Sequence, residues 1–395
     1  MSLMVGVDVG GTKVAAGVVD ADGNIIEKLK RSTPAASTEL TAKVVADAVT
    51  ELLGRHEVGG VGIGAAGFVD GYRSNVLFAP HLAWRDEPLK KEVEDLVGLP
   101  VVMENDANAA AWAETVLGAA RGHEHVILIA VGTGIGAGIV INGELYRGRW
   151  GVAGEPGHYR VVPGGRLCQC GNRGCWEQYA SGNALVAQAR EVAKHSPGTA
   201  GRLLELGGGS AEGINGPEVT QAAEDGDPCA LRCFETVGGW LGQGLAALAA
   251  MLDPGCFVIG GGVSDAGELL IAPARAVFED ELTGGSYRPR AEIRLAQLGA
   301  DAGMIGAADL ARRSLPEARP DFRGWASGLA GGSGGSSPRN TQRVQSTAPL
   351  SGPSPRDGRS PSRSTITANP PTNAATASRA AQLGAFQPMS VDTKR

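Results

Sequence analysis

Residues 5–25 read VGVDVGGTKVAAGVVDADGNI, and this stretch decides the fold. Apolar runs at residues 3–8 and 14–19 flank a Gly-Gly-Thr turn, which is the pattern of two strands joined as a hairpin. Residues 127–145, ILIAVGTGIGAGIVINGEL, repeat this outline of strand, Gly/Thr turn, strand and second turn. The repetition predicts a duplicated lobe with a ligand bound between the two glycine turns.

Further apolar runs of helical and strand length alternate along the chain, which predicts an α/β protein with mixed sheets. We expect an N-terminal α/β lobe over residues 1–118, to which the last helix can return, and a second α/β lobe over residues 119–314. Residues 315–395 are rich in Ser, Pro, Gly and Arg. Such a segment cannot bury enough apolar surface to offset its ordering entropy, so we expect a disordered tail.

Length and composition fit a globular protein of two lobes, with 395 residues of which 43% are hydrophobic and 20% charged. The net charge is −6, and the tail carries ten Lys and Arg against four Asp and Glu, so the remainder is strongly acidic. This argues against nucleic acid as a partner. We find no signal peptide and no long apolar segment, so we expect no membrane partner and a cytoplasmic location.

The glycine turns are candidates for phosphate binding. The P-loop pattern GxxxxGK[ST] is absent, and residues 132–137 fit GxGxxA but lead into a predicted strand where a dinucleotide site needs a helix. Main-chain N–H groups of such turns can bind phosphate oxygens. The alternative is that they are only tight turns. The candidate phosphate ligands are Gly10, Gly11, Thr12, Lys13, Gly132, Thr133 and Gly134.

Two further features belong with the nucleotide. Asp8, at the end of the first strand, is a candidate ligand of Mg²⁺, directly or through water. Gly261 and Gly262 follow a predicted strand, where adenine or ribose could lie against the backbone. An ordinary loop from strand to helix would also account for these glycines.

A cluster of potential metal ligands is the most specific local pattern. Three cysteines within eight residues follow a histidine, and a Cys₃His set is typical of tetrahedral zinc. Because protein side chains fill all four positions, we predict a structural zinc ion rather than a catalytic one. The predicted ligands are His158, Cys168, Cys170 and Cys175.

Polar residues at a predicted strand end suggest a sugar site. Asn105 and Asp106 lie between a strand and a helix, where ligands of α/β sheets gather. The Asp106 carboxylate could accept a proton from an attacking hydroxyl, although a helix cap would explain it equally well. Three further polar residues lie in or beside the predicted zinc loop and could bind sugar hydroxyls: Glu155, His158 and Glu177. Alternatively, the two glutamates could be ordinary surface charges.

Six short motifs, spread along the chain, resemble those of one known family. They are DVGGTK (8–13), GAAGFV (64–69), ENDANAAAW (104–112), GTGIGAG (132–138), GEPGH (154–158) and CQCGNRGCWEQYASG (168–182). Over about residues 3–313 the chain resembles the ROK family of bacterial sugar kinases and sugar-responsive regulators. ENDANAAAW and CWEQYASG look most like the ATP-dependent glucokinases of that family.

The resemblance implies a two-lobed, actin-like (ribonuclease H-like) ATPase fold with a zinc loop at residues 158–175. It implies phosphoryl transfer from ATP and Mg²⁺ to the 6-hydroxyl of glucose, with Asp106 as general base. It also implies a homodimer or homotetramer. The residues that would bind glucose are Gly67, Asn105, Asp106, Glu155, His158 and Glu177.

Two alternatives stay open at this stage: a kinase for another hexose, such as N-acetylmannosamine or fructose, and a sugar-sensing regulator without catalysis. A regulator would need a DNA-binding helix-turn-helix, and the first turn at Gly10 leaves no room for one before it. Polyphosphate could also replace ATP. One departure from the family pattern is Pro156, which stands where many members have a bulky residue and would shift Glu155 slightly.

Overall fold

A computed structural model describes residues 3–315 of the chain. The tail expected over residues 315–395 lies outside the described residues from residue 316 onward. Among residues 3–315, no helix is both long and apolar enough to cross a bilayer.

The described chain alternates strands and helices, as the sequence predicts. In the first part the elements are β1 (Leu3–Val9), β2 (Lys13–Val19), β3 (Ile25–Ser32), α1 (Thr38–Leu53), β4 (Val58–Ala65), β5 (Phe68–Val69), β6 (Val76–Phe78), β7 (Arg85–Glu87), α2 (Leu89–Val97), β8 (Val101–Asn105) and α3 (Asp106–Val116). In the second part they are β9 (Val126–Val131), β10 (Ile135–Ile141), β11 (Glu144–Leu145), α4 (Glu177–Ala180), α5 (Gly182–His195), α6 (Gly201–Leu206), α7 (Gly216–Glu224), α8 (Pro228–Leu252), β12 (Cys256–Gly260), α9 (Glu268–Glu281), β13 (Glu292–Leu295) and α10 (Ala302–Ser314).

Two five-stranded sheets have the same topology. The first has the order β3-β2-β1-β4-β8 and the second the order β11-β10-β9-β12-β13. In each, an antiparallel meander of three strands continues into two parallel strands. The predicted duplication is therefore confirmed, and the two glycine turns occupy equivalent places in the two sheets. A small third sheet, β5-β6-β7, stands beside the first.

Three details differ from the sequence-based expectation. Residues 38–53 have helical spacing, and Thr38 at their start is the cap expected from sequence. Ser37 caps α1 instead, because its side chain accepts the N–H of Leu40. Strand β10 starts at Ile135 instead of residue 138, since the Gly-rich run after the turn is already paired with β9. The helices between residues 177 and 224 were not predicted individually.

Helices α3 and α10 lie between the two sheets, and glycine sets how closely they approach. A methyl group at Gly62 of β4 would lie 1.8 Å from the carbonyl oxygen of Ala307 on α10. One at Gly138 of β10 would lie 2.4 Å from Cβ of Ala111 on α3. The helices also meet each other through a glycine, because a methyl group at Gly306 would lie 1.8 Å from a carbonyl oxygen of α3. These three glycines therefore serve helix packing rather than turns.

The outer faces of the sheets carry the two main cores. Helix α1 packs Val45 and Val49 onto the first sheet. Helix α8 packs Phe234 and Leu241 onto the second sheet. Each sheet is therefore covered on both faces, as parallel strands require.

Glu114 of α3 hydrogen-bonds to both of the chain segments that connect the two sheets. This fully buried side chain accepts the N–H of Ala119 at 2.8 Å and the N–H of Leu298 at 2.7 Å. The first of these N–H groups lies where the chain enters the second sheet, and the second lies where the chain returns towards α10. One carboxylate therefore fixes both connections.

We predict that Gly62→Ala lowers the free energy of unfolding by about 3 kcal/mol, because the added methyl group forces α10 away from the first sheet. Gly201→Ala is the matched control, since a methyl group there meets no atom within 4 Å and position 201 begins α6. We expect it to be neutral or slightly stabilising. Urea unfolding of both variants checks this, and equal stabilities would contradict the packing described.

Candidate active site

Asp106 lies where β8 ends and α3 begins. Asn105 is the helix cap, because its side-chain oxygen accepts the N–H of Asn108 at 2.9 Å. The capping role considered for Asp106 therefore belongs to its neighbour. Oδ1 of Asp106 accepts the N–H of Ala107 at 2.9 Å and the side-chain amide of Asn105 at 3.0 Å. The helix N-terminus and this amide orient the carboxylate and leave its second oxygen for a ligand.

The carboxylates of Asp106, Asp8 and Glu155 interact electrostatically. Burial raises the pKa of Asp106 itself. Burial and the charge of Asp106 raise the pKa of Asp8 to about 7, although Lys13 opposes the shift. Burial, Asp106 and Glu177 raise the pKa of Glu155 to about 7. Such a cluster is typical of a site that receives a cation or hydrogen-bond donors, both of which favour the ionised carboxylates.

The two glycine turns close in similar ways. The N–H of Gly10 donates to the carbonyl of Lys13 at 3.0 Å, and that of Gly132 donates to the carbonyl of Gly134 at 3.0 Å. Thr12 and Thr133 are exposed at the tips of the turns. Both hydroxyls are therefore accessible to a phosphate group.

Gly261 lies directly against the second turn. Its φ is +84°, and a methyl group there would lie 2.5 Å from the carbonyl oxygen of Val131, the last residue of β9. A methyl group at Gly262 would meet no atom within 4 Å. The first glycine is required by packing, whereas the second leaves open space beside the backbone.

Gly67 joins the sugar-side residues through its carbonyl, which accepts the side-chain amide of Asn105 at 3.1 Å. Its φ is +146°, and a methyl group would lie 2.5 Å from the carbonyl oxygen of Phe78. Only glycine fits this position, so the backbone of Gly67 packs closely beside the side chain of Asn105.

The four predicted zinc ligands come together. Their ligand atoms all lie within 4.8 Å of one another. Sγ of Cys168 lies 3.6 Å from Nδ1 of His158, and Sγ of Cys170 lies 3.6 Å from Sγ of Cys175. A tetrahedral site with usual Zn–S and Zn–N bonds has edges of about 3.5–3.8 Å. The residues therefore fit a zinc ion, and since Nδ1 faces the thiols, Nε2 of His158 is left for another partner.

Glu177 connects the zinc cluster with the second glycine turn. Its Oε1 lies 2.9 Å from Sγ of Cys168 and 3.7 Å from Nδ1 of His158. A methyl group at Gly134 would lie 2.5 Å from its Oε2. Because Glu177 also raises the pKa of Glu155, it is not an isolated surface charge.

Sequence reasoning missed several residues near the site. Arg73 and Arg147 both pair with the buried carboxylate of Glu104, and His81 lies against Gly11, with its Cβ 2.9 Å from where a methyl group on that glycine would be. All of these contacts join residues far apart in the sequence. No local pattern marks them, so only the fold reveals them.

Comparison with known proteins agrees with this geometry. A glucokinase of Streptomyces coelicolor is 52% identical over 316 residues, which cover 80% of this chain and 99% of that protein. A ROK family glucokinase of Streptomyces griseus, solved in complex with glucose and AMPPNP, is 54% identical, with a TM-score of 0.73 over 79% of this chain and 99% of that one. A ROK hexokinase of Thermus thermophilus is 35% identical, with a TM-score of 0.66 over 79% of this chain and 99% of that one.

The fold of these structures, with two lobes of the actin-like ATPase type, is the fold of this chain. The model of the ROK family matches residues 4–314, which is nearly all of the described chain. The motifs, the duplicated sheets and the relatives agree, and the chain belongs to the ROK family.

Proposed function

We propose that this chain is an ATP-dependent glucokinase, which converts glucose and ATP into glucose 6-phosphate and ADP. The observation that carries the proposal is the position of Asp106. Its carboxylate is close enough to Asp8, near the end of β1, and to Glu155, which precedes the zinc cluster, for its charge to raise the pKa of both. A hydroxyl bound at Asp106 can therefore face a phosphate held by the turns.

Glucose would bind on the side of the zinc cluster. Asn105 offers an amide, Glu155 and Glu177 offer acceptors, and Nε2 of His158 offers a ring nitrogen directed away from the thiols. The backbone of Gly67 closes the site beside Asn105. Adjacent sugar hydroxyls each need a donor and an acceptor, and this mixed set supplies both.

The nucleotide would bind across the two turns. Residues 10–13 and 132–134 would hold the phosphates through main-chain N–H groups and the two threonine hydroxyls. Gly261 and Gly262 would face the adenosine. Mg²⁺, bound with ATP, would neutralise phosphate charge, and Asp8 would hold it directly or through water.

In the reaction, the 6-hydroxyl oxygen of glucose attacks the γ-phosphorus, and the bond from that phosphorus to the β–γ bridging oxygen breaks. ADP leaves with the bond's electron pair, and Asp106 accepts the hydroxyl proton late in the transfer. Most of the acceleration comes from positioning, because the transition state is loose. Closure of the lobes excludes water and limits hydrolysis of ATP.

The zinc ion would be structural. His158, Cys168, Cys170 and Cys175 would hold it and thereby fix the segment from residue 155 to residue 177, on which Glu155 and Glu177 lie. It would supply rigidity to the sugar site and would take no part in the phosphoryl transfer.

A kinase for another hexose is the second candidate, because the same groups can bind hydroxyls that glucose shares with fructose and N-acetylmannosamine. A regulator without catalysis is less consistent with the site, since it has no need of a carboxylate placed like that of Asp106. We further propose a cytoplasmic enzyme that assembles as a homodimer or homotetramer, as the family resemblance implies. We place the boundary between its lobes near residue 118.

Asp106→Asn keeps the size of the side chain and its contact with Ala107 but removes the base. We expect kcat to fall by about 10²–10⁴-fold, while the affinity for glucose changes little. Coupled detection of ADP measures kcat, and calorimetry measures glucose binding.

Asp280→Asn is the matched control, because Asp280 is exposed on α9, away from the site, and we expect it to be fully active. Undiminished kcat in Asp106→Asn would contradict the assignment of the base. A large loss of glucose affinity with little change in kcat would assign Asp106 to binding alone.

Cys170→Ser should remove zinc, because a hydroxyl is a much poorer zinc ligand than a thiolate. Metal analysis should find about one zinc ion per wild-type chain and far less in the variant, with a lower melting temperature. Cys229→Ser, outside the cluster, should retain the full content. Zinc-free wild-type protein of unchanged stability would exclude the site.

A further inference from the structure

Glu104, the residue before Asn105, carries a carboxylate that is 1% exposed. Its Oε1 accepts the N–H of Asn105 at 2.9 Å and the side-chain amide of Asn108 at 3.1 Å. Arg73 and Arg147 both pair with it at 2.9 Å through their Nε atoms. A buried carboxylate is costly unless it is paired and hydrogen-bonded, and here both requirements are met.

The two arginines reach Glu104 from different lobes. Arg73 lies between β5 and β6, in the same lobe as β8, and its side chain is 31% exposed. Arg147 follows β11 of the second sheet, and its side chain is 10% exposed. The negative charge of Glu104 is therefore balanced by one arginine of its own lobe, Arg73, and by one arginine of the other lobe, Arg147.

Arg147 also binds the backbone of the first lobe. Its guanidinium donates to the carbonyls of Asp70 at 2.9 Å, Gly71 at 3.3 Å and Val69 at 3.4 Å. A few residues later the two backbones touch, since a methyl group at Gly151 would lie 2.5 Å from the carbonyl oxygen of Val69. The segment that begins at Arg147 is thus docked onto residues 69–71.

This docked segment leads to the sugar side of the site, because Glu155 and His158 follow Arg147 by 8 and 11 residues. Its anchor, Glu104, directly precedes Asn105 and Asp106 in the sequence. The guanidinium of Arg147 thus links these two halves of the site, because it contacts Glu104 and three backbone carbonyls together.

We propose that Arg147 is a positioning residue that sets the affinity for the hexose by holding the Glu155–His158 segment against the Glu104–Asp106 junction. The proposal rests on the proposed function, because it concerns the sugar half of that site. Arg73 balances the same charge but does not connect the halves. The two arginines therefore differ in their effect on sugar affinity, even though they share a carboxylate.

Arg147→Met and Arg73→Met test this difference, since each removes one charge beside Glu104 and keeps an unbranched side chain. We expect Arg147→Met to raise KM for glucose by about 10–100-fold, the effect of a displacement near 1 Å at a binding group. KM for ATP should stay within about two-fold. Arg73→Met should lower the melting temperature similarly but leave both KM values within about two-fold.

Arg147→Lys provides a second variant that retains the charge and so protects the fold. An ammonium group cannot span the carboxylate and three carbonyls, so we expect the rise in KM for glucose to persist. A role limited to charge neutralisation predicts that lysine restores KM, and that result would overturn the proposal. Equal changes in KM for glucose in Arg147→Met and Arg73→Met would overturn it as well.

Calorimetry of sugar binding accompanies the kinetics and uses the hexose that the wild-type protein binds most tightly. Wild-type protein that binds a hexose without turning it over contradicts the proposed kinase but not the role of Arg147. Active wild-type protein with unaltered hexose affinity in Arg147→Met contradicts the role of Arg147 alone.

Discussion

The close contact of α3 with β10 on one side and α10 on the other is the constraint on which the rest of the structure depends. Gly138 and Gly306 permit this contact, because a side chain at either position would strike main-chain atoms of α3. Helix α3 thus has two neighbours from different parts of the chain, and its first residue is Asp106. The packing of the protein interior fixes the residue that the proposed chemistry needs.

The duplicated topology places the other parts of the site around this helix. Each sheet contains a hairpin with a glycine turn, which we propose faces the nucleotide, and Asp8 lies near the end of the first strand of the first hairpin. The second lobe adds the cluster of His158 and three cysteines, with Glu177 in contact with Cys168, and Glu155, whose pKa is raised by the charges of Asp106 and Glu177. In the proposed site, the phosphate side would come mainly from the glycine turns, and the sugar side from β8 and the zinc loop.

Local patterns were sufficient to predict much of this arrangement. The hairpins, their repetition and the helix after β8 followed from periodicity and turn residues, because these features depend on neighbours in the sequence. The spacing of Cys168, Cys170 and Cys175 indicated zinc for the same reason. The contacts of Glu104 with Arg73 and Arg147 were not predictable, since they join residues 31 and 43 positions apart. The extent of β10 was misjudged because residues 132–137 were read as one glycine-rich turn, whereas residues 135–140 pair with β9.

A coupled assay of ADP release, with ATP, Mg²⁺ and a panel of hexoses, tests the central claim that these parts form a glucose kinase. The account predicts strong turnover with glucose and little with fructose or N-acetylmannosamine. Turnover with another hexose alone would keep the fold and the chemistry but replace the substrate. No turnover with any hexose, in protein shown to contain zinc, would contradict the account.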